Sequence, residues 1–118
     1  MRKQKRLIAN AACRKDFVPE SIKDFAYVNR PLSIGEGQMI SQPLTVAFML
    51  ELLELAPGQK VLDIGTGSGW QSALIAEIIG PSGAVVSIER IKSLSESARG
   101  NLSKFHFDNL EIAVGDGS

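Results

Sequence analysis

The chain has 118 residues, 44% hydrophobic and 22% charged, and its thirteen basic and thirteen acidic side chains cancel. That composition belongs to an ordinary globular protein of one domain at most and excludes a disordered chain. Zero net charge gives no general attraction to nucleic acid or to a membrane surface, so neither partner is expected.

Residues 1 to about 15 carry the helical stripe Leu7 and Ala11, with Ile8 and Ala12 beside it. The cluster Arg2, Lys3, Lys5 and Arg6 reads as a solvated face of that helix, the alternative being a phosphate-binding arm. The apolar stretch that follows, Leu7 to Cys13, is too short and too polar for a signal core. No run approaches the length of a membrane span. A single cysteine precludes an internal disulfide and fits a reducing, cytoplasmic compartment. With one histidine, far from that cysteine, no zinc site is expected. Phe17-Val18-Pro19-Glu20 ends the helix, because the residue before proline avoids the α region.

Residues 20–41 read as an irregular loop with Pro31, Gly35 and Gly37, and long loops of this kind are commonly functional. Residues 42–55 return to helix, with Val46, Met49, Leu50 and Leu53 on one face and Pro43 in the first turn. After the stop Ala56-Pro57-Gly58 comes a strand, residues 60–64, then a helix from about 69 to 79. A second strand covers residues 84–89. The next helix carries Leu94, Ala98, Leu102 and Phe105, and a last strand, residues 110–114, leads into Gly115-Asp116-Gly117. Two β–α units and a third strand predict an α/β fold with a parallel sheet and right-handed crossovers. His106, at the end of the third helix, reads as a capping or packing residue.

The chemistry concentrates in Val61-Leu62-Asp63-Ile64-Gly65-Thr66-Gly67-Ser68-Gly69-Trp70, a strand, a glycine turn and a helix start. Glycine permits positive φ and close approach of a ligand, and free N–H groups at a helix start favour its polar or anionic parts. Glu89 closes the second strand twenty residues beyond Gly69, the spacing of an acid that accepts hydrogen bonds from ribose hydroxyls. The combination points to a nucleoside cofactor, the bland alternative being only a tight turn. Asp63 is costly to bury unless partnered. It ties down the glycine loop, reaches a cationic ligand group, or sits solvated at the strand end. Trp70, the sole tryptophan, lines the pocket or fills the core.

The segment Pro31-Leu32-Ser33-Ile34-Gly35-Glu36-Gly37-Gln38-Met39-Ile40-Ser41-Gln42-Pro43, between Phe17-Val18-Pro19-Glu20 and the glycine loop, resembles the protein-L-isoaspartate O-methyltransferases. Ser87-Ile88-Glu89-Arg90 and Gly115-Asp116-Gly117 fall where that family has them, so the likeness covers roughly residues 14–117. It implies a Rossmann-like class I methyltransferase fold with parallel central strands, truncated after the third strand. Residues 1–118 would then be the N-terminal, cofactor-binding part of a single domain. The implied cofactor is S-adenosyl-L-methionine, and the implied reaction is methylation of the free α-carboxylate of L-isoaspartyl residues in damaged proteins. By the same resemblance Gly65, Gly67 and Ser68 meet the amino-acid end of the cofactor, with Asp63 counted among the binding residues. Glu89 holds ribose, and Asp116 with Gly117 sits beside adenine. Gln38, Met39, Ile40 and Ser41 close over the cofactor, Ser41 matching the serine with a catalytic role. Ser41 also suits the cap of the helix that follows.

Three departures from the family pattern stand out. Met39 replaces the usual threonine, Val46 stands where some members have histidine, and family members continue with four more strands. An unpaired first strand would be an apolar edge open to another chain, so self-association or an incomplete unit is expected. Other readings stay open: a cofactor-binding fragment without turnover, a nicotinamide-dependent Rossmann protein, or a methyltransferase for small molecules. The Gly-x-Gly-x-Gly spacing disfavours the nicotinamide reading, and a small-molecule enzyme leaves residues 31–43 unexplained.

Overall fold

The computed structural model describes residues 14–25, 30–40 and 43–116. Two 3-10 turns come first, Arg14–Phe17 and Glu20–Phe25, with Pro19 interrupting helical continuation between them. An antiparallel hairpin follows, β1 (Leu32–Gly35) and β2 (Gln38–Ile40), with Leu32 opposite Ile40. Its tip, Gly35-Glu36-Gly37, holds three successive left-handed residues, with φ of 94°, 54° and 67°. Helix α1 (Pro43–Leu52) leads to β3 (Lys60–Ile64), and α2 (Trp70–Ile79) connects β3 to β4 (Ala84–Glu89). Helix α3 (Lys92–Leu102) then delivers β5 (Leu110–Val114).

Strands β3, β4 and β5 form a parallel sheet in that order, with Leu62 beside Val86, Asp63 beside Ser87 and Ile64 beside Ile88. Paired residues share a face and the faces alternate along each strand. One face, carrying Val61, Asp63, Val85, Ser87 and Ile112, lies under α2 and α3. The core sits there. Leu74, Ile75, Ile79 and Ala98 are sealed from solvent, and Phe17 stacks on Phe105 at 5.7 Å between ring centroids. The other face is left open by the described elements, and Leu62 and Ile64 are 61% and 54% exposed. Among the described residues β3 has a partner on one side only, so the expected unpaired apolar edge is present.

The three parallel strands fall where the sequence placed them. The segment expected as loop does not: residues 20–25 form a 3-10 turn and residues 32–40 form the hairpin. Its strands, four and three residues long with a register shift between Ser33 and Gly35, are too short to display a period of two. The helix expected over residues 1–15 lies outside the described residues for its first thirteen positions, and Arg14–Phe17 is a 3-10 turn. In α1, Val46, Ala47 and Leu50 are buried, whereas Met49, expected on the same face, is exposed, and Leu53, also expected there, lies exposed in the turn beyond the helix end. That segment is apolar nearly all round, so periodicity did not select the inner side. Phe105 lies beyond the end of α3.

The two neighbours Met49 and Leu50 separate the alternatives experimentally. Leu50→Ala removes a sealed side chain and should cost about 3 kcal/mol. Met49→Ala should cost less than about 1 kcal/mol, as for surface positions. Urea unfolding of both variants measures the pair, and equal losses would refute this assignment of the inner face.

Candidate functional site

The carboxyl ends of the three parallel strands open into the three segments that build the site. This is where open α/β sheets hold ligands. From β3 the chain turns at Gly65, whose N–H donates to the Ile88 carbonyl at 2.7 Å. Gly69 N–H donates to the Thr66 carbonyl at 2.9 Å, closing the turn ahead of α2. Gly67 and Gly69 have φ of 55° and 92°, which disfavours any side chain. A Cβ on Gly69 would also lie 3.3 Å from both Ala98 Cβ and Leu102 Cδ1, so glycine is what lets α3 approach the loop. Asn101 of α3 fixes the same loop by donating from Nδ2 to the Ser68 carbonyl at 3.0 Å.

Glu89, at the end of β4, is buried and joins two loops. Its Oε1 accepts from Gly67 N–H and its Oε2 from Ile91 N–H, each at 2.8 Å. The sequence suggested loop amides free for a ligand. Three of them are occupied instead: Gly67 by Glu89, Gly69 by Thr66, and Trp70 by Ser68 Oγ at 3.4 Å. The anion at this helix start is a side chain of the protein itself, in keeping with the positive end of the helix dipole.

Beneath the loop lies a second, buried polar cluster. Asp63 Oδ2 accepts from Ser72 Oγ at 2.6 Å and from Ser87 Oγ at 3.1 Å. With the Ser87 proton directed at the carboxylate, Thr66 Oγ1 supplies the proton of its 2.6 Å bond to Ser87 Oγ. Asp63 thereby reaches the glycine loop through Ser87 and Thr66, the tie-down among the roles its sequence allowed. Burial pushes its carboxyl above the ordinary aspartate value, and the hydrogen bonds from Ser72 and Ser87 oppose that rise. Thr66, Ser72 and Ser87 were missed by the sequence reading. For Ser87 the signal was a polar residue closing the apolar run Ala84-Val85-Val86, whereas Thr66 in the glycine turn and Ser72 beside Gln71 had no such mark.

Above the loop a hollow of ≈ 240 Å³ gathers Gln38, Met39, Gly65, Gly67, Glu89 and Asp116, all among the expected site residues. A smaller one of ≈ 70 Å³ brings Ile40 and Ser68 together with Met39, Gly65, Gly67 and Trp70. Asp63 lines neither hollow. Ser41 and Gly117 lie outside the described residues. Trp70 is both pocket wall and core: it is 2% exposed, and the Arg14 guanidinium stands 5.6 Å from its ring centroid. A larger concavity, ≈ 590 Å³, opens at the amino ends of β4 and β5 beside the exposed His106, and no expected site residue lines it. Among the described residues no group of three His, Cys, Asp or Glu side chains is arranged to hold a metal ion, and no helix is long and apolar enough to cross a membrane.

Comparison with known proteins agrees with this geometry. The family model described as Protein-L-isoaspartate(D-aspartate) O-methyltransferase matches residues 3–118. Protein-L-isoaspartate O-methyltransferase 2 of Archaeoglobus fulgidus is 57% identical over 102 residues, covering 86% of this chain and 47% of its own length. The protein-L-isoaspartate O-methyltransferase of Methanopyrus kandleri is 50% identical over 106 residues, covering 89% and 47%. The chain therefore spans about half the length of these curated relatives. A solved protein-L-isoaspartate O-methyltransferase superposes with a TM-score of 0.81 at 26% identity, over 98% of this chain and 40% of that one. A putative Plasmodium falciparum enzyme of the same name, solved with S-adenosyl-L-homocysteine, gives 0.74 at 25% identity, over 94% and 58%. The parallel sheet with its crossover helices is thus the class I methyltransferase arrangement.

The raised Asp63 value sets a pH dependence. A carboxyl that holds its proton more tightly when folded favours folding below its unfolded value of ~3.9, and that contribution is lost as pH rises through the folded value. Asp63→Asn removes the buried charge, so its stability relative to the unchanged chain should improve as pH rises through that window. Asp63→Ala, which leaves Ser72 and Ser87 without their acceptor, should cost about 2 kcal/mol. Urea midpoints between about pH 3 and 7 test both. A difference between the Asn variant and the unchanged chain that stays flat with pH would contradict the desolvated carboxylate.

Proposed function

The chain belongs to the protein-L-isoaspartate(D-aspartate) O-methyltransferase family, and we propose that it is the S-adenosyl-L-methionine-binding part of a protein-repair enzyme. The reaction is methylation of the free α-carboxylate of L-isoaspartyl residues in damaged proteins. The supporting observation is the convergence of Glu89, the glycine loop, β2 and Asp116 on one hollow.

The residues fit such a cofactor. A carboxylate offers about four acceptor positions, so Glu89 can receive ribose hydroxyls while holding Gly67 and Ile91. Gly65 and Gly67 present backbone without a side chain between it and the ligand. Asp116 and Gly117 are assigned to the adenine, with Asp116 on the rim of the same hollow. Ser68 and Ile40 line the adjoining smaller hollow, where the amino-acid end would lie. Gln38 and Met39 form the β2 wall of the larger one. Asp63 supports the loop from below through Ser87 and Thr66. Bound there, S-adenosyl-L-methionine supplies an electrophilic methyl group on a sulfonium.

The chain's own work is then modest. A terminal-type α-carboxylate has a reference value of ~3.5, so the substrate is ionised at neutral pH and needs no general base. What the residues must provide is alignment of that carboxylate and exclusion of water. Ser41, through the family resemblance, is assigned to orient it by donating one hydrogen bond.

A second reading is a binding unit without turnover of its own, favoured by the sheet face left open by the described elements. The same open face supports a proposal of self-association, with the β3 edge and the exposed Leu62 and Ile64 as the contact. A single cysteine supports a cytoplasmic setting.

Calorimetric titration with S-adenosylhomocysteine should give saturable one-to-one binding, and Glu89→Gln should weaken it about tenfold by removing charge-assisted acceptance. Absence of binding by the folded chain would sink the cofactor assignment. Methyl transfer to an isoaspartyl peptide distinguishes enzyme from binding unit. Light scattering after size exclusion should show a mass above one chain, reduced by Leu62→Lys. A rigid monomer would dispose of self-association.

A further inference from the structure

The hairpin tip is tied to the start of α3 by one long-range contact. Ser93 Oγ, in the first turn of α3, donates to Glu36 Oε1 at 3.1 Å across 57 residues of sequence. Glu36 lies two residues before Gln38, on the β2 wall of the hollow. Ser93 lies two residues after Ile91, which lines the same hollow. The bond therefore joins the hairpin to α3 next to residues that both segments contribute to the hollow. Below it, Ile34 of β1 packs on the glycine loop, with its Cδ1 3.5 Å from where a Cβ of Gly67 would stand.

The backbone at the tip carries the same message. Glu36 is one of two described non-glycine residues with positive φ, at 54°, and two glycines flank it. Side-chain-bearing residues rarely occupy that region, and such outliers persist where their surroundings hold them. Here the turn directs the Glu36 side chain to Ser93.

We infer that Glu36 and Ser93 are positioning residues that latch the β1–β2 hairpin across the cofactor hollow and slow the departure of the bound nucleoside. This rests on the reading of that hollow as the cofactor site. Neither residue touches the reacting atoms in this account. They act through Gln38 and Met39, the hairpin residues that form the wall. Opening the latch releases the tip while leaving the glycine loop, held by Glu89 and Asn101, in place.

Ser93→Ala tests this with little risk to the fold, because Ser93 is exposed and alanine favours helix. Ser93→Thr and Glu36→Gln keep a donor and an acceptor, and Ser97→Ala on the exposed side of the same helix serves as control. Two readouts are needed: hydrogen exchange of the β1–β2 amides without ligand, and the S-adenosylhomocysteine off-rate followed by Trp70 fluorescence. Ser93→Ala should speed hairpin exchange and off-rate about threefold or more, with β3–β5 exchange unchanged, and the two conservative variants should restore both. Hairpin exchange equal to that of the unchanged chain overturns the latch. A looser hairpin with an unaltered off-rate, or an equal effect of Ser97→Ala, overturns its part in cofactor residence. A chain that binds no S-adenosylhomocysteine defeats the cofactor reading and, with it, the residence role, while the exchange data still decide whether the latch exists.

Discussion

Both oxygens of the Glu89 carboxylate are bound to backbone amides, one on the glycine loop after β3 and one at the entrance to α3. The two amides belong to loops from neighbouring parallel strands, so one side chain sets their separation. Everything at the carboxyl end of the sheet depends on that clamp. It gives the Gly67 and Ile91 N–H groups an acceptor and leaves further acceptor positions facing the hollow. A carboxylate buried this deeply is tolerable only because its charge is answered by short hydrogen bonds.

A second buried carboxylate works from below. Asp63 stands in a strand where an apolar residue would be cheaper, and its raised proton affinity records the cost of removing it from water. The hydroxyls of Ser72 and Ser87 offset part of that cost, and Thr66 joins the cluster through Ser87. Thr66, Ser72 and Ser87 come from the loop, from α2 and from β4, so the cluster fixes three elements against one another. The glycine loop is thus held from above by Glu89, from below by Thr66 and from the side by Asn101. A loop so constrained arrives at its ligand with little conformational freedom left to lose.

The sheet itself is unequal. One face is sealed by α2 and α3, while Leu62, Ile64 and Val86 on the other meet solvent beside an unpaired strand edge. The relatives matched here are about twice as long as the matched segment. The carboxyl end of this face reaches the site itself, because Ile64 and Ile88 line the hollow beside the glycine loop.

The sequence by itself determined the three parallel strands, the glycine loop and the acid at the end of β4. Each strand is a short apolar run closed by glycine, proline or a turn, so local chemistry alone marks its limits. Family resemblance in residues 31–43 identified the family as well. What the sequence did not determine were relations between distant residues. The Ser72–Ser87 cluster joins positions fifteen residues apart, Gly67 meets Glu89 across twenty-two, and Glu36 meets Ser93 across fifty-seven. No local periodicity encodes such pairs. The inner face of α1 escaped for a related reason: a helix apolar on nearly every side has no intrinsic orientation, and only its packing buried Leu50 while leaving Met49 in water. Element identity is a property of local pattern, whereas polar partnership and burial are decided when the elements meet.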